Sequence, residues 1–181
     1  MVEDRIASFY SGGVDDRGRT LERILAWPDE KLEAVHDYIQ WMFPTVAASA
    51  VNPAAPLVAV ATIAAFKARP DLRGMLRRSL DRMLSFYGLQ RTDDSGHVRI
   101  EIDETRFTDR ARVWLRPGHH NHLRLTRIMQ SLAALGLMPE AEALQRCLVI
   151  DVYGGPGHNR ITADTYEYWM DALRGFRPAD P

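Results

Sequence analysis

The segment 121–135 carries the pattern that most restricts the fold. Its apolar positions are Leu125, Ile128, Leu132 and Leu135. At 100° per residue they form one stripe along a helix, which marks the buried side. Asn121 suits the cap at its start, and Gly136 suits the left-handed position after its last turn, where Leu137 can fold back onto Leu132. The segment therefore predicts one amphipathic helix packed in a core.

The same periodicity recurs along most of the chain. Helices are predicted over 20–27, 29–43, 62–68, 70–87, 105–114, 121–135, 139–152 and from 162 onward. Between 89 and 102 the pattern changes, because Val98, Ile100 and Ile102 alternate with polar residues after the turn sequence DDSG. We expect an all-α fold, a compact multi-helix bundle of about seven or eight helices with one small β-hairpin insertion.

Length and local composition set the organisation. With 181 residues, the chain is expected to form a single domain over 1–181. Residues 1–19 contain SGG and DDRGR, which favour turns, so this segment is expected to be mobile. The most apolar stretch, 54–66, is shorter than the ~20 residues that a bilayer span needs. No signal peptide is apparent, and we expect a soluble, cytoplasmic protein without a transmembrane segment.

Charge and cysteine content exclude several classes of partner. The net charge of −1 gives no field that would attract nucleic acid. All but two of the 23 basic residues are arginine, the exceptions being Lys31 and Lys67. Together with the many alanines, this composition is typical of a GC-rich, bacterial genome. The single cysteine, Cys147, excludes an internal disulfide and a multi-cysteine zinc site, and its apolar position predicts a small buried residue.

Three histidines, His119, His120 and His122, open the 121–135 segment and raise the question of a metal site. On a helix His120 and His122 lie about 160° apart, so they cannot share one ion. No nearby carboxylate completes a ligand set at the i, i+4 spacing of the HExxH motif. We therefore expect neither a metal nor a cofactor.

An anion site is the better hypothesis for this segment. Arg124 and Arg127 both fall within about 40° of His120, on a ridge beside the apolar stripe. Two guanidinium groups there could hold a carboxylate or phosphate. The alternative is an internal ion pair of Arg124 with Asp151, because Asp151 falls on the apolar face of the 139–152 helix and would need a partner if buried.

A second polar group lies in 36-HDYIQWMFP-44. On a helix over 29–43, His36 lies on the apolar face and Gln40 one turn further on. His36 is then either a hydrogen-bonded core residue or the floor of a pocket. Trp41 is expected to face solvent, where it covers the N-terminal segment or contacts a partner. Tyr168 and Trp169, in 166-YEYW-169, are further candidates for partner contact.

Three segments belong together: 36-HDYIQWMFP-44, 85-SFYGL-89 and 120-HNHLRLTRIMQSLAALGL-137. In order and spacing they resemble the conserved N-terminal region of the opioid growth factor receptor family, and the resemblance spans roughly 20–173. It implies a domain whose animal members bind an enkephalin-type opioid peptide and restrain cell proliferation, and it implies no catalytic residues. The residues that match the family motif in the third segment are His120, Asn121, Arg124, Thr126 and Arg127.

These observations favour a ligand- or peptide-binding module. Its predicted contacts are His36, Gln40, His120, Asn121, Arg124 and Arg127, and its predicted ligand is a small anionic molecule or a peptide. Two alternatives stay open. One is an enzyme in which His36 or His120 acts as general base on an anionic substrate. The other is a protein–protein interaction domain without a small-molecule site.

Overall fold

The computed structural model describes residues 4–49 and 52–176. This part of the chain is mostly helical, with ten α-helices, one π-helical segment and one two-stranded antiparallel sheet. It divides into two compact units. The first comprises the described residues up to Arg82 together with Ala134–Gly136, and the second comprises Met83–Ala133 and the described residues from Leu137 onward. The helical fold with one hairpin is as predicted, and the single-domain organisation stays a prediction.

The first unit is built from five short helices and the larger part of the longest one. They are α1 (Arg5–Tyr10), α2 (Leu21–Leu25), α3 (Asp29–Ala34), α4 (Ile39–Met42), α5 (Val60–Ala68) and the larger part of α6 (Pro70–Tyr87). Aromatic rings join them: Phe9 contacts Trp41 at 5.4 Å, and Tyr10 contacts Phe66 at 5.1 Å between ring centroids. The Tyr10 hydroxyl donates to the carbonyl of Met42. Helix α1 thus supplies core residues from a segment that was expected to be mobile.

The second unit contains the hairpin and the C-terminal helices. Its elements are β1 (Leu89–Asp94), β2 (His97–Ile102), α7 (Phe107–Trp114), α8 (His120–Ala134), α9 (Met138–Arg146), the π-helix (Cys147–Tyr153) and α10 (Ala163–Asp171). The strands pair in register from Leu89 opposite Ile102 to Asp94 opposite His97. Gly88 precedes the hairpin with a φ of 75°, and an added Cβ there would lie 2.7 Å from the Cα of Phe107. Only glycine fits this position.

Two predicted helices are wrong in part. The helix over 29–43 is broken at residues 35–38 into α3 and α4, and the helix over 139–152 changes into the π-helix at Cys147. The break and the unpredicted α1 explain why there are ten α-helices where seven or eight were expected. The end of α8 is as predicted, since Gly136 has a φ of 87° and the amide of Leu137 donates to the carbonyl of Leu132 at 2.8 Å.

None of the helices in the described residues combines the length and the apolar character that crossing a bilayer requires.

Candidate functional site

The break between α3 and α4 places His36 in a different setting from the one predicted. Val35 adopts an extended conformation with φ −96° and ψ 134°, which ends α3. The hydroxyl of Tyr38 then donates to the carbonyl of Leu32 at 3.1 Å, which ties the break to the end of α3. His36 lies in this break and is exposed, so its predicted position on the apolar face of a helix is wrong.

Ion pairs hold the break in place. Arg19 donates to Asp37 Oδ1 at 2.8 Å, and its Nε donates to Asp15 Oδ2 at 2.6 Å. Arg17 Nε lies 3.3 Å from Asp37 Oδ2. Burial acts to raise the pKa of Asp37, but the hydrogen bond and charge of Arg19, with the charge of Arg17, lower it overall. The carboxylate therefore stays ionised and ties residues 35–38 to the 15–19 turn.

A cavity of about 680 Å³, here called the His36 cavity, opens beside this break. It is lined by Asp16, Arg17, Arg19, Ala34, Val35, His36, Asp37, Trp41, Asn52 and Ala54. Its volume lies within the range of small-molecule and peptide pockets. Two carboxylates and two guanidinium groups balance one another along the lining, so the cavity offers both charge signs without a strong net field.

Trp41 forms an apolar part of the lining and is only 2% exposed, although it was expected to face solvent. Its ring packs on Phe9, and the guanidinium carbon of Arg5 lies 4.9 Å from the ring centroid. No residue in the described part of the chain accepts a hydrogen bond from its indole N–H. Because this group can only donate, Trp41 brings an unused donor to the lining of the cavity.

Gln40, the neighbour of Trp41, is buried and is not one of the residues that line the cavity. Its amide oxygen has no hydrogen-bond partner among residues 4–49 and 52–176. Both Gln40 and His36 belong to the first unit, whereas the four other predicted contacts lie on α8 in the second unit. Ligand binding by this set of six stays a prediction.

Helix α8 begins one residue earlier than predicted. His119, and not Asn121, occupies the cap: its carbonyl accepts from the amide of His122 at 3.0 Å, and its Nδ1 accepts from the amide of Asn121 at 3.4 Å. His120 follows with its ring centroid 4.3 Å from that of His119, at an interplanar angle of 34°. Because α8 is continuous, His120, Arg124 and Arg127 share the predicted ridge.

Asn121 organises the buried side of this ridge. It is fully buried, and its Oδ1 accepts from the hydroxyl of Tyr87 at 3.3 Å and from Arg124 Nη1 at 3.2 Å. Arg124 is itself 5% exposed. Burial lowers the pKa of Arg127, which is half-buried. In the second unit Asn121 and Arg124 thus form part of a hydrogen-bonded interior.

The proposed partner of Arg124 was Asp151, and this prediction is wrong because Asp151 is exposed. In the π-helix the backbone hydrogen bonds join residues five apart instead of four, and Val152, five residues after Cys147, is buried where Asp151 would be in an α-helix. Burial raises the pKa of the Cys147 thiol to about 12, and the charges of Asp151 and Glu101 add to this effect. Cys147 is accordingly a buried, protonated thiol.

His122 is the polar residue that the sequence reasoning missed. It is 3% exposed, its Nε2 lies 3.0 Å from the carbonyl oxygen of Trp114, and its Nδ1 lies 3.4 Å from the hydroxyl of Thr165. Burial lowers its pKa to about 4, against the opposing effect of the Trp114 hydrogen bond. A signal was present, because His122, Leu125 and Met129 follow the i, i+3, i+7 spacing of a buried face.

The predicted contact residues of α10 divide between surface and core. Tyr168 is 59% exposed and stays a candidate for partner contact. Trp169 is fully buried and donates its indole N–H to the carbonyl of His122 at 3.3 Å. It therefore presents no surface to a partner.

Comparison with known proteins agrees with the motif resemblance. The family profile described as the Opioid growth factor receptor (OGFr) conserved region matches residues 15–178. Opioid growth factor receptors of Mus musculus and Homo sapiens are 38% and 36% identical over 174 residues, which is 92% of this chain. Opioid growth factor receptor-like protein 1 of Rattus norvegicus is 34% identical over 149 residues, or 82% of this chain.

The chain spans about a quarter of the length of these two receptors, 26% and 25%, and 31% of the receptor-like protein. No solved structure matches it. The family match covers most of the sequence, including both polar segments described above. The chain belongs to the opioid growth factor receptor conserved-region family.

Proposed function

We propose that this domain is a peptide-binding module and that the His36 cavity receives the peptide. The observation that carries the proposal is Trp41, a 98% buried indole whose N–H has no acceptor in the described part of the chain and which lines the cavity. The Nε1 atom of Trp41 is not one of the fully buried polar atoms without a partner, so this N–H faces the open space of the cavity, where it can donate to a ligand. A main-chain carbonyl of a bound peptide supplies the acceptor.

The charges of the lining favour a peptide over a small anion. Asp16 and Asp37 offset Arg17 and Arg19, so a phosphate or dicarboxylate would meet as much repulsion as attraction. A peptide carries separated positive and negative groups and amide dipoles, which suit a lining of both signs. The curated relatives are named as receptors for an opioid growth factor, which supports a peptide of the enkephalin type as the first ligand to test.

Calorimetric titration of the protein with an enkephalin tests the proposal, with Trp41→Phe as the decisive variant. Phenylalanine keeps an aromatic ring next to Phe9 and removes only the donor and part of the ring. Loss of one hydrogen bond should weaken binding by about threefold to tenfold. The matched control is Trp169→Phe, which removes an indole donor in the second unit and should leave the affinity unchanged.

Absence of measurable binding to the unmodified protein would contradict the choice of ligand. Equal affinities of the unmodified protein and Trp41→Phe would contradict the choice of site.

A further inference from the structure

A second cavity lies wholly in the second unit and has a volume of about 420 Å³. It is lined by five consecutive residues of β2, 97–101, and by Ala143, Arg146 and Asp151 of α9 and the π-helix. Alternate residues of a strand point to opposite faces, so a cavity that touches five in a row runs along the edge of the strand. We call it the β2 cleft.

The outer edge of β2 carries unused backbone groups. Ser95 and Gly96 have φ values of 53° and 85°, the signature of a two-residue type I′ turn, so Asp94 and His97 form the closing hydrogen-bonded pair. Hydrogen-bonded and non-hydrogen-bonded residue pairs alternate along the hairpin from this closing pair. Val98 and Ile100 lie in non-hydrogen-bonded pairs, so their N–H and C=O groups point away from β1. No other described residue pairs with these groups, since the sheet has two strands only.

The floor of the cleft leaves room for another strand. Strand β2 lies against α9 and the π-helix, and buried Ile100 marks the face that packs there. Ala143 contributes only a methyl group to the floor, whereas Arg146 and Asp151 provide one charge of each sign. The cavity volume lies within the range of clefts that bind small ligands.

Charges on the other face of β2 indicate what sequence would fit. The side chains of Arg99 and Glu101 are exposed and lie two residues apart on one face. Glu101 accepts from Gln90 at 3.1 Å, and within the described residues Arg99 forms no ion pair. In a strand added to β2, residues opposite Arg99 and Glu101 would form non-hydrogen-bonded pairs, whose side chains approach most closely.

We propose that the β2 cleft binds an extended peptide segment as a third, antiparallel strand of the hairpin. The backbone groups of Val98 and Ile100 form the hydrogen bonds, which is the strand-addition mode of peptide recognition. Antiparallel pairing places a basic residue opposite Glu101 and, two positions later in the peptide, an acidic residue opposite Arg99. The preferred sequence is therefore basic–x–acidic in the N-to-C direction.

Two synthetic peptides of identical composition test the proposal on the full chain. Acetyl-Thr-Lys-Val-Glu-Thr-amide has the preferred order, and acetyl-Thr-Glu-Val-Lys-Thr-amide reverses it. The first should bind about fivefold more tightly, because two like-charge pairs replace two opposite-charge pairs in the second. In amide hydrogen exchange, the N–H groups of Val98 and Ile100 should be protected by the first peptide, whereas that of Arg99, already bonded to β1, should not change.

Two variants separate strand addition from other modes of binding. Val98→Pro removes an outward N–H without removing a bond to β1 and should abolish binding, while Val98→Thr keeps the N–H and should retain it. The double substitution Arg99→Glu with Glu101→Arg should reverse the preference between the two peptides.

Three results would overturn the proposal. The first is amide hydrogen exchange at Val98 and Ile100 that does not change in saturating peptide, and the second is failure of both peptides to bind. The third is a double variant that still prefers the peptide preferred by the unmodified protein.

Discussion

The Nε2 atom of His122 lies 3.0 Å from the carbonyl oxygen of Trp114. A carbonyl oxygen only accepts, so Nε2 carries the proton, and Nδ1 is left to accept from the hydroxyl of Thr165 at 3.4 Å. One neutral imidazole thus joins the end of α7, the start of α8 and the start of α10. Protonation of Nδ1 would force the hydroxyl of Thr165 to accept instead of donate and would place a charge in a buried site.

This geometry predicts an acid-sensitive fold. The pKa of His122 is about 4 in the folded state and close to its ordinary 6.5 when unfolded, so the unfolded chain takes up the proton first as pH falls. Neutral His122 makes its full contribution to the free energy of unfolding above pH 6.5. This contribution is lost between pH 6.5 and pH 4 and does not change further below pH 4. The loss amounts to about 3 kcal/mol of unfolding free energy.

Urea unfolding at pH 7.5 and pH 4 measures this dependence. In His122→Gln the free energy of unfolding should differ less between pH 7.5 and pH 4, by about the same 3 kcal/mol, because the variant lacks the titrating group. His97→Gln is the control, since His97 is exposed on β2 and its replacement should leave the difference intact. Equal pH dependence of His122→Gln and the unmodified protein would contradict the assignment.

Two tryptophans should differ in what their N–H groups contribute to stability. Trp114 donates to the carbonyl of Tyr87 at 3.1 Å, whereas Trp41 has no acceptor in the described residues. Replacement by phenylalanine removes the same volume at both positions, but only Trp114→Phe leaves a buried carbonyl without its donor. Chemical denaturation should show that Trp114→Phe is less stable than Trp41→Phe by about 1–3 kcal/mol. The reverse order would show that the Trp41 N–H is already satisfied.

Gly88 should tolerate alanine much less well than Gly118. A Cβ at Gly88 would approach the Cα of Phe107 to 2.7 Å at a φ of 75°. At Gly118 the φ is similar, 69°, but no atom lies within 4 Å of the added carbon. Gly118→Ala therefore measures the backbone strain alone, about 1 kcal/mol, and Gly88→Ala should lower the unfolding free energy by at least about 2 kcal/mol more. Similar losses for both variants would contradict the close packing at Gly88.

Asp37 should matter for binding through the shape of the His36 cavity. Asp37→Asn weakens the pairs with Arg17 and Arg19 and loosens the break that carries His36. The affinity of the Asp37→Asn variant for an enkephalin should be about threefold or more below that of the unmodified protein, as expected for the loss of one charge-assisted bond. Asp109→Asn is the control, because Asp109 forms only an exposed i, i+3 pair with Arg112. Equal affinities of the two variants would argue against the cavity.

The sequence predicted those helices and strands that are determined by residues close together in the chain. Helix α8 follows from its apolar stripe and Gly136, and the hairpin follows from alternation around a Ser-Gly turn. The family motif residues of α8 also lie together on one helix, as the 3.6-residue repeat requires. Such signals depend on neighbours in sequence, which is why they could be interpreted without the fold.

Features set by distant residues could not be predicted in this way. The break at residues 35–38 depends on Asp37 meeting Arg17 and Arg19, which lie 20 and 18 positions earlier in the chain. The burial of Trp41 depends on α1, a six-residue helix too short to have a clear periodicity. Likewise Asp151 is exposed because the backbone hydrogen bonds change from i→i+4 to i→i+5 at Cys147, which apolar spacing alone did not reveal.

The indole N–H resonance of Trp41 tests the central claim most directly. In a heteronuclear NMR titration with an enkephalin, this resonance should move downfield as the N–H gains an acceptor. The indole resonances of Trp114 and Trp169, already bonded to carbonyls, should stay in place. A Trp41 resonance that does not move at saturating peptide would contradict binding in the His36 cavity.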